Sequence, residues 1–202
     1  MGRSAERNQR MRDERREQIL AVALELFAAR GLAATKIGDI ARRARIAQGL
    51  LYHYFPSKDV IYLELIRGAF ERMNAAARGL EKLPMPPGEK VRRALEALVA
   101  GLTENDDTAR YYLLTAQASA SEATPRTVQA LIRAERAVPY EVMARIIRAG
   151  QRDGSVREGD PEELAVLFWV LIRGLAIHRA TWGPGFRAPP VSALIRIFLS
   201  EG

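Results

Sequence analysis

KIGDIARRARIAQGLLYHYF, residues 36–55, carries two short apolar patterns joined by a few residues that suit neither. Ile37 and Ile40 recur at helical spacing, and Ala41 is small where a second helix has to cross close by. Ala44 and Ile46 bracket a turn. Leu51 and Tyr54 then return to the same core from a second short helix. At about 100° per residue from Gln48, Leu51 and Phe55 fall together near 300–340°, the packed side. Gly49, Leu50 and His53 fall on the opposite side, with Gln48 and Tyr52 at its margin. A core segment would not carry Gln48 and His53, and a surface loop would not carry Leu51 and Phe55. The spacing predicts a helix-turn-helix over about 36–55 whose second helix keeps one face for a partner.

A face of this kind fits a DNA major groove, which is wide enough for one α-helix. Gln48 and His53 can hydrogen-bond to base edges, and Gly49 lets the backbone approach. Tyr52 offers a phenol to a phosphate, and Lys58, at the start of the next helix, can do the same. Thr35, Lys36, Arg45 and Leu50 complete the candidate DNA-binding set. Thr35 is also expected to cap the first of the two helices, with Asp39 in its first turn.

The charge agrees with this placement. Residues 1–58 hold 12 Lys/Arg against 6 Asp/Glu, so six of the seven net positive charges sit in the first quarter of the chain. The remaining 144 residues are near neutral, 19 basic against 18 acidic. A polyanion-facing end is expected at the front. With 202 residues the chain is long enough for one or two domains with a proper core. The absence of cysteine excludes disulfides and thiolate chemistry. No apolar run approaches the roughly 20 residues of a membrane span, and the basic start has no apolar signal core. The expected location is the cytoplasm, with no membrane partner.

Nothing points to an enzyme. His53 and His178 are the two histidines and lie far apart in sequence. There is no His-Glu-x-x-His, no Gly-x-Ser-x-Gly and no phosphate-binding glycine loop. The acidic run at 104–107 reads as a helix cap and connection. No catalytic residue, metal site or cofactor is expected.

Breakers divide the rest into helical pieces, with no strand pattern. Helices are expected at about 13–30, 36–43, in the 48–55 stretch, from Ser57 to about 78, and at 89–103, 107–121, 125–152, 161–181 and 189–200. Ser57, Thr124-Pro125 and Asp160-Pro161 read as N-terminal signals. Pro139 should kink or split the 125–152 helix. Residues 79–90, rich in proline and glycine, read as a linker. The fold expected is all-α, with about nine helices: an N-terminal three-helix DNA-binding unit at 13–73 and a larger helical unit at 80–202.

At the level of motifs, Leu26-Phe27, Gly31, Thr35, Ile40-Ala41, Gly49, Leu51-Tyr52, Tyr54-Phe55 and Ser57-Lys58-Asp59 together resemble the DNA-binding domain of the tetracycline-repressor (TetR) family. The match covers roughly 13–73; beyond it only length, helicity and breaker pattern agree. Two positions depart from the family pattern. Arg45 stands where a turn glycine is usual, at a cost of ~1–2 kcal/mol if φ is positive. Ala47 replaces the usual Ser/Thr cap, worth ~1 kcal/mol.

The resemblance implies a cytoplasmic homodimer that regulates transcription, most simply as a repressor, by binding a near-palindromic operator in double-stranded DNA. It implies a dimer face on the helices at about 161–181 and 189–200. The first of these is apolar almost all round, so it must bury more than one face. It also implies release by a small effector bound between the rear helices, for which Tyr111, Tyr112, Gln117, Met143, Phe168, Trp169 and His178 are the candidate lining residues. Apolar walls would suit a hydrophobic or amphipathic effector. A different reading is a helical protein that binds nucleic acid or anionic membrane without sequence preference, through the arginine-rich arm 1–16. The arm is expected to be disordered until DNA is present. This reading explains the charge but not the helix-turn-helix spacing.

Overall fold

The computed structural model describes residues 2–200, with side chains from residue 6 onward. Met1 and residues 201–202, the ends of the expected arm and rear unit, lie outside the described residues, as does the side chain of Arg3. Within them the chain forms ten α-helices and one 3₁₀ turn, and a single bridge, Val156 to Leu199, is its only β pairing. The all-α expectation holds.

Helix α1 runs Gly2–Ala34, broken by Gly31 at φ 75° and ψ 169°. That left-handed backbone suits glycine and re-aims the last residues of the helix. Helices α2 (Ile37–Arg43) and α3 (Gln48–Tyr54) follow, then α4 (Lys58–Lys82). The Ser57 hydroxyl accepts from Val60 N, as an N-cap should. The 79–90 segment is less of a linker than its composition suggests. Four of its residues extend α4, and α5 (Pro87–Glu104) begins at Pro87, which needs no partner for a missing N–H at a first helical position.

The rear holds α6 (Asp106–Ala120), α7 (Arg126–Glu135), α8 (Val138–Arg152), α9 (Pro161–Trp182) and α10 (Val191–Phe198). The expected 125–152 helix is two helices, divided just before Pro139, which occupies the first turn of α8. This raises about nine expected helices to ten. At the start of α9, the Asp160 carboxylate accepts from Glu163 N at 2.9 Å. The acidic run at 104–107 is occupied locally: Asn105 caps α6, and Asp106 and Asp107 pair with Arg179 and Arg110.

Two apolar clusters form the core. The front one joins Ile19, Phe27, Ile40, Leu51, Phe55, Ile61 and Leu65 to Leu114, Ala118, Val128 and Ile132 of α6 and α7. The rear one joins the end of α4 to α5, α8, α9 and α10 around Leu95, Ile147, Phe168 and Phe198. Helix α4 belongs to both, and α6 packs on α1 as well as on α9.

Helix α9 corrects one sequence reading. Arg173 and Arg179 interrupt its apolar run, yet by length and composition it could cross a membrane. It is packed into the rear core through Leu164, Ala165, Phe168, Trp169, Ile172 and Ala176, while Val166, Leu167, Val170 and Ile177 remain exposed. One apolar face is therefore buried and a second is uncovered.

Candidate nucleic-acid interface and rear cavity

The turn between α2 and α3 is built from backbone hydrogen bonds. Arg45 N donates to Arg42 O at 3.1 Å and Ile46 N to Ala41 O at 3.0 Å. These two bonds close a Schellman motif, in which the residue after the cap adopts a left-handed conformation. Arg45 does so, at φ 56°, the single non-glycine with positive φ among the described residues. The strain expected from the missing glycine is present. Ala47 begins α3 with no side-chain cap, as expected.

Helix α3 is held from beneath. Leu51 and Phe55 are wholly buried, and Phe55 N donates to Leu51 O to end the helix. The Arg16 guanidinium lies 4.2 Å from the Phe55 ring centroid, donates to Tyr54 O at 3.1 Å and pairs with Glu64. Arg16, counted with the basic arm in the sequence, is thus a brace between α1, α3 and α4. The Gln48 side chain lies across Gly38 of α2, where a Cβ would come within 3.2 Å of its Oε1. On the outer side Gln48, Gly49, Leu50, Tyr52 and His53 are exposed, flanked by exposed Lys36 and Arg45. All seven of these candidates are therefore accessible.

Two others belong to the fold. Thr35 is 1% exposed and its hydroxyl donates to Gly31 O at 2.8 Å, so its side chain has nothing to offer DNA. Nor does it cap α2, whose N-cap residue is Lys36, without a side-chain bond. Lys58 turns away from the surface, and its Nζ donates to the carbonyls of Leu32, at 2.8 Å, and Thr35, at 3.0 Å. It satisfies acceptors exposed where α1 ends, a task invisible until the end of α1 is placed beside α4. Arg42, absent from the sequence candidates, is 77% exposed beside this surface and pairs with Asp39 one turn back. The arm expected to be disordered continues α1 toward the N-terminus, and residues 6–14 are exposed all round, including Arg7, Arg10 and Arg12.

In the rear, a cavity of about 460 Å³ opens between α4, α5, α6, α8 and α9. Five of the seven lining candidates, Tyr111, Tyr112, Met143, Phe168 and Trp169, face it. Gln117 does not: its Nε2 donates to Ala28 O at 3.1 Å, tying α6 to α1. His178 does not either. It is exposed, with its ring centroid 5.2 Å from that of Trp182 in a tilted contact and 5.6 Å from that of Phe186 in an edge-to-face contact, at the end of α9. The wall missed in the sequence is α4, which contributes Ala69, Arg72, Met73 and Ala76. Alanines on facing helices, here also Ala94 and Ala97 of α5, leave room that larger side chains would fill. The alanine run at 75–77 was the available signal. A second cavity of about 390 Å³ shares Met73, Tyr112, Thr115 and Trp169 with the first.

Residues 19–65 match the family described as bacterial regulatory proteins, tetR family. The chain is 34% identical over 172 residues to the HTH-type transcriptional repressor KstR2 of Rhodococcus jostii, covering 79% of this chain and 78% of that protein. The fold is shared with the ketosteroid transcriptional regulator KstR2 of Mycobacterium tuberculosis, at a TM-score of 0.74 and 22% identity, over 93% of this chain and 96% of that one. A transcriptional regulator from Saccharomonospora viridis, solved in complex with choline, superposes with a TM-score of 0.68 and 26% identity over 94% of this chain and 100% of that one.

Proposed function

We propose, from the premise that this chain belongs to the tetR family of bacterial regulatory proteins, that it is a sequence-specific transcriptional repressor released from DNA by a small effector. The observation that carries the reading is α3 itself: a two-turn helix anchored by buried Leu51 and Phe55 with every residue of its outer face uncovered. Residues 13–73 act as the DNA-binding unit and 80–202 as the effector-binding and dimerisation unit.

One helix of seven residues makes too few base contacts for specificity. Two related by a twofold axis read a near-palindrome. The uncovered stripe on α9, with Val166, Val170 and Ile177 at helical spacing and Gly174 between them, supplies a self-complementary face for that dimer, continued by α10. The rear cavity, walled by Met73, Met143, Phe168 and Trp169, suits a hydrophobic or amphipathic effector. Because α4 runs from the helix-turn-helix to the cavity wall, an occupant that moved its second half would move its first.

The testing experiment is a protection footprint on DNA flanking the protein's own gene, at physiological salt with excess random competitor. An inverted-repeat site of protection is expected. Uniform weak protection, with no preferred sequence recovered by selection from random DNA, would leave only non-specific binding.

Gln48 and His53 are the proposed base readers. Gln48→Ala or His53→Ala should each cost ~1–3 kcal/mol of operator binding and alter base preference. Equal losses on operator and random DNA would remove them from that role. Arg45 is proposed to meet a phosphate. Arg45→Gly should raise folding stability by ~1 kcal/mol, because glycine relieves the positive φ. The same change should weaken DNA binding and lower the salt slope by about one. Thermal unfolding and salt titration read the two effects separately.

A further inference from the structure

We infer that the rear cavity is built for an anionic amphipath, a single carboxylate or phosphate head on an apolar body. This rests on the effector reading above and names the chemistry of that site. The cavity walls include Arg72 and Arg93 and not one Asp or Glu. The adjoining cavity adds Arg136 and Arg173, again with no carboxylate.

Five other arginines of the rear half are matched with acids: Arg92 with Glu89, Arg110 with Asp107, Arg145 with Glu81, Arg148 with Glu162, and Arg179 with Asp106. Among the described residues, no carboxylate lies within ion-pair distance of the four cavity arginines. The two cavities thus carry positive charge and no counter-charge, although Arg173 donates to the Tyr140 hydroxyl at 2.8 Å.

Arg72 is also held in place. Its guanidinium lies 4.4 Å from the Tyr111 ring centroid, and it folds back over Gly68, where a Cβ would come within 3.1 Å of Nη1. A guanidinium fixed by stacking keeps its N–H fork available to an oxyanion and loses little freedom on binding one. Both Arg72 and Arg93 are exposed, which puts them at the rim, while Phe168 and Trp169 are buried within. The site is therefore polarised, with the head at the rim and the body among the apolar side chains. Inside, the Tyr112 hydroxyl has no hydrogen-bond partner among the described residues, and burial pushes its pKa up, so it remains a donor. The rival occupant is a quaternary ammonium, which aromatic walls can hold through their π faces. Two rim arginines oppose it, and there is no acid to offset them.

The test uses the full-length protein and four ten-carbon probes: decanoate, decyl phosphate, decanol and decyltrimethylammonium. Calorimetry should show decanoate or decyl phosphate binding at least tenfold tighter than the other two, and the tighter of the pair identifies the head. In the Arg72→Gln/Arg93→Gln variant the anionic probe should fall to the affinity of decanol. Equal or tighter binding of decanol or the ammonium, or an anion preference that survives the double substitution, would overturn the assignment while leaving the effector reading intact. If none of the four bound, both the assignment and the effector reading of the cavity would fail, with DNA recognition untouched.

Discussion

Phe55→Ala is expected to destabilise the protein by ~3–5 kcal/mol and to abolish specific DNA binding at 37 °C. The Phe55 ring is fully buried at the end of α3, where Leu51, Ile61 and the Arg16 guanidinium meet. Truncation removes the transfer energy of the ring and leaves a cavity that rigid helices on three sides cannot collapse to fill. It also strips the aromatic face from Arg16, loosening the brace between α1, α3 and α4. A loss of this size is a large share of the ~5–15 kcal/mol by which a domain is stable. The front cluster includes Leu114 and Val128 from the rear helices, so urea should reveal one transition at a lower midpoint, not an early separate melting of the front. A loss below ~1 kcal/mol would show that Phe55 is not the anchor of α3.

Val170→Arg should convert the proposed dimer to a monomer. Val170 is 55% exposed at the centre of the α9 stripe, so the substitution disturbs no packing within one chain. Across a twofold axis it appears twice, placing two unpaired guanidinium groups in an apolar contact. Burying uncompensated charge costs on the order of 3–5 kcal/mol. At ~1.4 kcal/mol per tenfold, dimer affinity should fall by at least ~100-fold. Sedimentation at micromolar concentration should then show a monomer with unchanged helical content. Binding to an inverted repeat should drop to that of a half-site. A variant that still sedimented as a dimer would move the interface off this face.

Most of the helix-turn-helix was legible because it is local. Within 36–55 the inward and outward residues follow from spacing alone, and the turn closes by bonds only a few residues long. The departure at Arg45 was legible for the same reason: a Schellman turn demands left-handed backbone at one position whatever surrounds it. Composition likewise sufficed for the all-α class and for the uneven charge.

Other assignments depended on which helices meet. Thr35 and Lys58 read as DNA ligands until the break at Gly31 brings the carbonyls that end α1 within reach of both. Arg16 read as part of a basic arm until α3 and α4 supply its partners. Gln117 and Tyr112 lie five residues apart on α6, yet one ties down α1 and the other faces the cavity, because α6 is packed on both sides. Space between helices is a property of no single segment. It arises where small side chains from α4 and α5 oppose each other, so the cavity and its unpaired arginines existed only once the tertiary structure had set those helices apart. The periodic pattern of the chain determined each helix and its apolar face; the packing of those faces decided which polar groups were consumed by the fold and which were left for a partner.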